Sequence, residues 1–223
     1  VSTRSLKLNQ ASTSRAKFPQ VYTPQSVKPL VISDSSGYRY RNGGLHNAVE
    51  RAFEGIIGGE DTLDALIAGV NIPELDPEES GIGYGGLPNA DGVVQLDSCC
   101  MHGTKKWAGG VSAIEGIRTP SRVAKSVMEL TDHHLLTGTG AQEFARQLGF
   151  VIEDDLNTEK SRALWLEWKR RIDPRHFLDP LRRNNPPESF EDLKEMGARI
   201  RNRSDEFYRA GLAMVEEGLI EQN

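Results

Sequence analysis

The side chains that could do chemistry in this sequence do not stand at the spacings of familiar catalytic or metal-binding motifs. The five histidines match neither a zinc-protease motif nor a Cys/His metal-binding pattern: His46, His102, His133, His134 and His176. A Ser–His–Asp triad cannot be assembled either, because its geometry is not encoded in sequence spacing. We therefore predict isolated core or surface histidines, no metal ion and no cofactor.

Three other local patterns favour structural over chemical roles. Gly138-Thr139-Gly140 precedes a predicted helix and could bind an anion, but it lacks the third glycine of a dinucleotide site and predicts a tight turn. The adjacent Cys99 and Cys100 predict free thiols buried in a strand. Four carboxylates lack the spacing of a calcium-binding loop and predict a solvated loop: Glu74, Asp76, Glu78 and Glu79.

The stretch 80–110 organises the chain around it, with eight glycines in 31 positions. Gly83, Gly85 and Gly86 surround Tyr84 and predict positive φ angles or close backbone contacts, which only glycine adopts cheaply. Turn residues and apolar runs then predict a hairpin, with turns at 89–92 and 102–103 and strands at 93–96 and 109–114. By itself this pattern indicates a glycine-rich hairpin in a globular domain.

Apolar periodicity and capping residues predict the elements that flank this stretch. Apolar residues at helical spacing and N-cap residues indicate five helices: 44–57, one capped by Asp61 or Thr62 and ending at Pro73, one opened by Thr119-Pro120, one from 140 to 148, and 158–172. Short apolar runs indicate strands at 29–33 and 135–137. The sequence therefore predicts a mixture of helices and short strands.

The charge is unevenly distributed along the chain. Residues 1–29 carry five basic and no acidic side chains, so the net charge of −5 leaves −10 on residues 30–223, with 22 basic against 32 acidic residues. We predict a basic arm at 1–29, a folded body at 30–180 and a charged peripheral extension at 181–223. Neither nucleic acid nor a membrane is expected as a partner, and no apolar run is long enough for a membrane helix.

An ordered set of motifs also gives the sequence a resemblance to a known family. GYGGLPN-x-DG-x-V-x-LD-x-C-x-M is followed by AGGVSAIEGIRTPSRVAKSVME, by HHLLTGTGAQEFARQLGF and by a Thr-Glu-Lys-containing helix with Trp165. Over about residues 30–170 this order and spacing resemble the N-terminal half of the glycosylasparaginase family. These are N-terminal nucleophile amidohydrolases, related to the asparaginases and isoaspartyl peptidases.

The resemblance implies an α+β fold, a four-layer αββα sandwich, and an autoprocessed precursor whose α-subunit portion is this chain. The nucleophile would be a Thr at the start of a β subunit, so no catalytic residue is expected here, and a dimer of αβ heterodimers is implied. The implied activity is cleavage of the side-chain amide of N4-(β-N-acetylglucosaminyl)-L-asparagine or a related asparagine derivative. An L-asparaginase or isoaspartyl peptidase and a non-catalytic binding relative are the alternatives, and the compartment stays open between cytoplasm and periplasm or secretion.

One segment departs from the family pattern. After the first predicted strand the family carries a Trp and a Phe that line the substrate pocket, whereas this chain has Asp34, Ser35, Ser36 and Gly37, followed by an insertion at 38–42. We take these four as candidate substrate-binding residues by position. Tyr38 and Tyr40 in the insertion are candidates to replace the missing aromatic contact, and the alternative is that the segment is only a polar loop.

Overall fold

The computed structural model describes residues 28–172 and 208–220, and the chain divides into two compact units, Val1–Leu30 and Val31–Asn223. Most of the predicted arm, and residues 181–207 of the predicted extension, lie outside the described residues. The second unit contains, in chain order, α1 (Ser35–Arg39), α2 (Ala48–Ile57), α3 (Thr62–Leu75), β1 (Gln95–His102), β2 (Trp107–Glu115), α4 (Pro120–Leu130), β3 (Leu135–Thr137), α5 (Gly138–Gln147), α6 (Glu159–Ile172) and α7 (208–216).

The three strands form one sheet in the order β1-β2-β3. β1 and β2 are antiparallel and joined by the tight turn 103–106, while β2 and β3 are parallel. The hairpin predicted from the glycine-rich stretch is therefore confirmed, although β1 starts two residues later than predicted and β2 starts two residues earlier. The strand at 135–137 is also confirmed.

The strand predicted at 29–33 is wrong, because no strand pairing involves these residues. Ile32 is 82% exposed. An apolar run becomes a strand only where a neighbour pairs its backbone N–H and C=O groups, and the described part of the chain supplies none here. Composition alone could not reveal that missing neighbour.

α4 and α5 cover one face of the sheet and enclose the core. Contact between α4 and β2 is close because Gly109 has no side chain: a Cβ there would lie 2.5 Å from the carbonyl oxygen of Ala124. The buried residues of this core are small and branched aliphatic side chains: Val94, Leu96, Val111, Ile114, Ile117, Val123, Ala124, Val127, Ala141, Ala145 and Leu156. Their burial supplies the main stabilising free energy of the sheet and its helices.

The exposure of the two cysteines follows from the fact that α4 and α5 cover only one face of the sheet. Both thiols are free, as predicted, but Cys99 is exposed and Cys100 is half-buried. The prediction of buried thiols is therefore wrong for Cys99. Successive strand residues point to opposite faces, so Cys100 points toward the helices and Cys99 points away from them.

α2 and α3 form a helical pair next to the sheet. Asn47 and Glu50 make a reciprocal capping box, which explains why α2 begins at Ala48 rather than at residue 44 as predicted. Asp61 caps α3 as predicted, with its carboxylate accepting the N–H groups of Leu63 and Asp64. The two helices approach closely at Gly69, where a Cβ would lie 2.5 Å from a backbone oxygen of α2.

The acidic loop that ends α3 is mostly buried, so the predicted solvated loop is wrong for three of its four carboxylates. Glu74, Asp76 and Glu79 are 3%, 7% and 1% exposed, and only Glu78 is open to solvent. Backbone N–H groups bond both oxygens of Asp76, from Asn42 and Glu78, and Oε1 of Glu79, from Gly81, whereas Oε2 of Glu79 is buried without a partner among the described residues. Buried carboxylates of this kind serve as hydrogen-bond acceptors for the loop.

Glu74 connects three parts of the fold. Its carboxylate accepts hydrogen bonds from the backbone N–H of Ser121 at 3.0 Å, the hydroxyl of Ser121 at 2.7 Å and the amide of Asn71 at 2.6 Å. The first of these caps the start of α4, where Thr119 provides no side-chain cap. The carbonyl oxygen of Glu74 also accepts the N–H of Tyr84 in the glycine-rich stretch. Burial raises the pKa of this carboxyl to about 7.

The glycines around Tyr84 behave as predicted. Gly83 and Gly85 have φ angles of +63° and +84°. A Cβ on Gly83 would lie 2.1 Å from the carbonyl oxygen of Glu74, and one on Gly86 would lie 3.2 Å from the carbonyl oxygen of Gly83. Positive φ and close backbone contact together exclude other residue types at Gly83.

We expect Gly83→Ala to destabilise the full-length protein strongly, because the new methyl group meets the backbone of Glu74. The positive φ costs ~1–2 kcal/mol and the clash at least a further ~2 kcal/mol. Gly43→Ala is a matched control, since Gly43 has a φ of +72° but nothing within 4 Å of its added Cβ. Denaturant unfolding of both variants measures the difference, and equal losses of unfolding free energy would contradict the packing argument.

We expect the carboxyl of Glu74 to make stability depend on pH. The folded protein keeps this proton up to about pH 7, whereas the unfolded chain loses it near pH 4.5. Its contribution to the free energy of unfolding is therefore full below pH 4.5 and is lost as the pH rises to about 7, a change of at most ~3 kcal/mol. Chemical unfolding across this range measures it.

Glu74→Gln should flatten this part of the pH profile, because glutamine accepts hydrogen bonds but does not titrate. Glu78→Gln, in the same loop but exposed, is the control and should leave the profile of the native protein unchanged in this range. An identical pH dependence in native protein and Glu74→Gln would show that Glu74 is not responsible.

Candidate functional site

The four predicted pocket residues belong to the start of α1. Asp34 is its N-cap, with its carboxylate accepting the N–H of Gly37 at 3.3 Å. Asp34 is exposed and Ser35 is half-buried, whereas Ser36 and Gly37 are buried. A Cβ on Gly37 would lie 2.5 Å from the hydroxyl of Ser33, so the backbone packs tightly here. Asp34 and Ser35 are thus the pair that offers polar groups at the surface, and the assignment of a pocket to these residues stays a prediction.

The insertion at 38–42, which begins within the last turn of α1, is held in place by polar contacts. The N–H of Asn42, whose φ is +47°, donates to the carboxylate of Asp76 at 2.7 Å. Arg41 makes a two-pronged ion pair with Glu50 on α2. Tyr38 is 70% exposed. The insertion therefore presents an exposed aromatic ring from an anchored segment.

The glycine-rich stretch is fixed at its first half by Arg118. The guanidinium of Arg118 lies 3.7 Å from the ring centre of Tyr84 and makes two hydrogen bonds, of 2.6 and 2.8 Å, with the carboxylate of Glu153. These hydrogen bonds lower the pKa of Glu153. The N–H of Gly85 donates to the carbonyl of Leu156 at 2.9 Å, which adds a backbone tie to the same region.

The second half of the stretch is fixed by α6 and the residues before it. The indole N–H of Trp165 donates to the carbonyl of Asn89 at 3.0 Å, and its ring packs directly on Gly92. The amide of Asn157 donates to the carbonyl of Gly92 at 2.9 Å. The turn 89–92 is thereby positioned by contacts with residues far away in sequence, as a preorganised platform requires.

The sheet leaves the face opposite α4 and α5 uncovered within the described chain. We call this the open face and define it by strand parity and pairing as ten residues: Gln95, Asp97, Cys99, Met101, Ala108, Gly110, Ser112, Glu115, Leu135 and Thr137. Met101 is 72% exposed and Leu135 is 55% exposed. An apolar strand surface of this kind is typical of a face that another layer covers.

A β-bulge interrupts the middle of the open face. Asp97 on β1 stands opposite both Ser112 and Ala113 on β2. One carboxylate oxygen, Oδ1, accepts the hydroxyl of Ser112 at 2.7 Å and the N–H of Ala113 at 2.8 Å. Ala113 has a φ of +49°, which a residue with a side chain adopts only when its surroundings hold it there. Asp97 supplies that restraint.

A surface cavity of about 400 Å³ lies between the end of β2, α5 and the start of α6. Four carboxylates line it: Glu153 is paired with Arg118 and Asp155 with Arg162, Glu115 accepts the amide of Gln95, and Asp154 is exposed. Carboxylates that are already paired leave little free charge for a cationic ligand. The cavity is therefore better explained as a gap between packed elements than as a binding site.

Two of the described histidines are paired with carboxylates, and His46 is one of them, with its Nδ1 3.3 Å from Glu54. His102 is hydrogen-bonded through Nε2 to the carboxylate of Asp61 at 3.0 Å, and this bond lowers the pKa of Asp61 to about 2. Over residues 28–172 and 208–220, no three His, Cys, Asp or Glu side chains form a group that could hold a metal ion. In the same ranges no helix combines the length and apolar character that a bilayer crossing requires.

Sequence reasoning missed two structural features near the candidate site, the buried hydrogen-bond network of Glu74 and the bulge at Asp97. Glu74 was grouped with its acidic neighbours because its partner Ser121 lies 47 residues away. Asp97 lies within a family motif, and its face becomes clear only in the structure, where residues 95–101 alternate between exposed and less exposed positions. That period of two places Asp97 on the same face as Met101.

Comparison with known proteins agrees with the motif order. The sequence model of the asparaginase family matches residues 31–196. The chain is 43% identical over 141 residues to N(4)-(Beta-N-acetylglucosaminyl)-L-asparaginase of Elizabethkingia miricola, covering 63% of this chain and 39% of that protein. It is 38% identical over 149 residues to the plant-type L-asparaginase of Pyrococcus abyssi, covering 64% and 48%.

A third relative broadens the range of named activities. The isoaspartyl peptidase/L-asparaginase of Rattus norvegicus is 39% identical over 121 residues, covering 53% of this chain and 36% of that protein. The chain thus spans less than half the length of each of these relatives. The family model, in contrast, covers most of the chain. The resemblance read from the motifs is confirmed, and the chain belongs to the asparaginase family.

Proposed function

We propose that this chain is the α-subunit portion of an autoprocessed amidohydrolase. Its preferred reaction is cleavage of the side-chain amide of N4-(β-N-acetylglucosaminyl)-L-asparagine or a related asparagine derivative. The observation that carries this proposal is the 43% identity with a relative named for that substrate. The family relationship supports the broader part, an amidohydrolase of the asparaginase type.

The proposed architecture is a four-layer αββα sandwich. α4 and α5 would form one outer layer over the sheet β1-β2-β3, and the β subunit would add the second sheet and further helices. The open face supports this arrangement, since two sheets pack face to face about 10 Å apart through such surfaces. We further propose a dimer of αβ heterodimers, with 1–29 as an arm, 30–180 as the α-subunit body and 181–223 as a peripheral extension.

The proposed mechanism uses the β subunit's N-terminal Thr. Its α-amine takes the proton of the hydroxyl, and the oxygen attacks the amide carbon. Hydrogen-bond donors stabilise the resulting oxyanion, the amine leaves with a proton, and an acyl-enzyme ester remains. Water then hydrolyses the ester and releases aspartate. In this scheme the present chain contributes the platform of the glycine-rich stretch and the substrate-facing residues at Asp34 to Gly37.

Two alternatives have specific support. An L-asparaginase or isoaspartyl peptidase is favoured by relatives bearing those names at 38% and 39% identity. The absence of Trp and Phe at positions 34–37 also favours a substrate other than a glycosylated asparagine. A non-catalytic binding relative is the second alternative, because a pocket that has lost those aromatic side chains has lost the contacts that hold the substrate for reaction.

We expect the product of the full gene to consist of two fragments, the second of which begins with Thr. Autoprocessing before the nucleophile produces this result, and a binding protein has no need of it. Intact-mass spectrometry with N-terminal sequencing measures it directly. A single unprocessed chain would contradict the hydrolase and leave the binding relative as the better proposal.

We expect Tyr38→Ala to raise KM for N4-(β-N-acetylglucosaminyl)-L-asparagine about two- to tenfold, the range of one lost aromatic contact. KM for L-asparagine should change little, because that substrate has no sugar ring to contact. Steady-state kinetics of the processed protein with both substrates measures the effect. Tyr208→Ala is the control, since Tyr208 is 69% exposed and Tyr38 is 70% exposed. Unchanged kinetics for both substrates would remove the insertion from the pocket.

A further inference from the structure

The open face combines apolar character with two carboxylates. Glu115, at its edge, accepts the side-chain amide of Gln95 at 2.7 Å, whereas Asp97 lies farther in, beside Cys99 on β1 and Ser112 on β2. Met101 and Leu135 supply exposed apolar surface on either side of the strand pairing. Any layer that covers this surface must therefore also cover a carboxylate.

Within the described chain, only one of the two carboxylate oxygens of Asp97 accepts hydrogen bonds. Oδ1 accepts both hydrogen bonds of the bulge, from the hydroxyl of Ser112 and the N–H of Ala113. Oδ2 has no partner among the described residues, and the side chain is exposed. The two donors lower the pKa of this carboxyl, with Ser112 contributing most, so the group is ionised at neutral pH.

Covering an ionised carboxylate is unfavourable unless a partner compensates for the lost water. An unpaired charge between two sheets is strongly destabilising, whereas a carboxylate with a hydrogen-bonded cation is tolerated. Protonation on Oδ2 would leave Oδ1 able to accept both hydrogen bonds, but a neutral carbonyl oxygen accepts them more weakly than a carboxylate oxygen, so both donors favour the charged form. The carboxylate therefore remains charged when the face is covered.

We propose that the β subunit covers the open face and places a cationic side chain, a guanidinium or an ammonium, against Oδ2 of Asp97. This inference rests on the proposed function, because it takes the occupant to be the other part of the same amidohydrolase. Two observations point to that occupant: the chain spans less than half the length of its relatives, and the face is a sheet surface with an uncompensated negative charge. Asp97 is thus a positioning residue of the subunit interface.

The test uses the processed full-length protein and Asp97→Asn. Asparagine keeps the oxygen that Ser112 and Ala113 need, but its amide replaces Oδ2 by a donor and removes the charge. We expect subunit exchange with isotope-labelled protein, followed by native mass spectrometry, to accelerate at least tenfold. Asp91→Asn, an exposed carboxylate in the turn 89–92, is the control and should leave the exchange rate unchanged. Equal rates for native protein and Asp97→Asn would overturn the proposed ion pair.

A second measurement needs no variant at Asp97. Cys99 lies on the open face, so in the assembled native protein its reaction with a maleimide should be at least a hundredfold slower than in denatured protein. Tandem mass spectrometry separates its label from that of Cys100. A rapidly labelled Cys99 in a processed, active enzyme would overturn this inference while leaving the proposed function intact. A single unprocessed chain would overturn both.

Discussion

The buried carboxylate of Glu74 is the interaction on which much of this structure depends. It ends α3, caps α4 and, through its backbone carbonyl, fixes the start of the glycine-rich stretch. Three elements that are distant in sequence therefore share one buried group. Because a buried carboxylate is unfavourable unless its oxygens are hydrogen-bonded, the positions of Ser121 and Asn71 are constrained as strongly as that of Glu74 itself.

Local features of the fold could be predicted from the sequence, and long-range ones could not. Asp61 marks the start of α3 as its cap and Pro120 marks the start of α4 as its first residue, both by local chemistry, and Leu135–Thr137 is a strand recognisable from its own residues. The burial of Glu74 depends on a partner 47 residues away, which no local pattern contains. The strand expected at 29–33 failed for the same reason, since pairing is a property of two segments.

In the candidate site, too, local features could be predicted from the sequence and long-range contacts could not. Family motifs identified the glycine-rich stretch, and the φ angles of Gly83 and Gly85 agree with that identification. The contacts that hold the stretch, from Arg118 and Trp165, come from outside it. The exposure of Cys99 and the bulge at Asp97 depend on which face of the sheet the helices cover, which strand alternation alone leaves undecided. The open face and the short span of the chain relative to its relatives are the two observations behind the proposed second subunit.

The contact between Trp165 and Asn89 also bears on the order in which the protein folds. It joins residues 76 positions apart, whereas the β1–β2 hairpin is closed by a turn of four residues. Contacts between distant residues carry a larger loop-closure entropy and form later than local ones. During synthesis the hairpin can therefore pair soon after it leaves the ribosome, while the turn 89–92 is fixed only after α6 has emerged. The platform is then complete before any polypeptide encoded downstream of α6 has to fold against it.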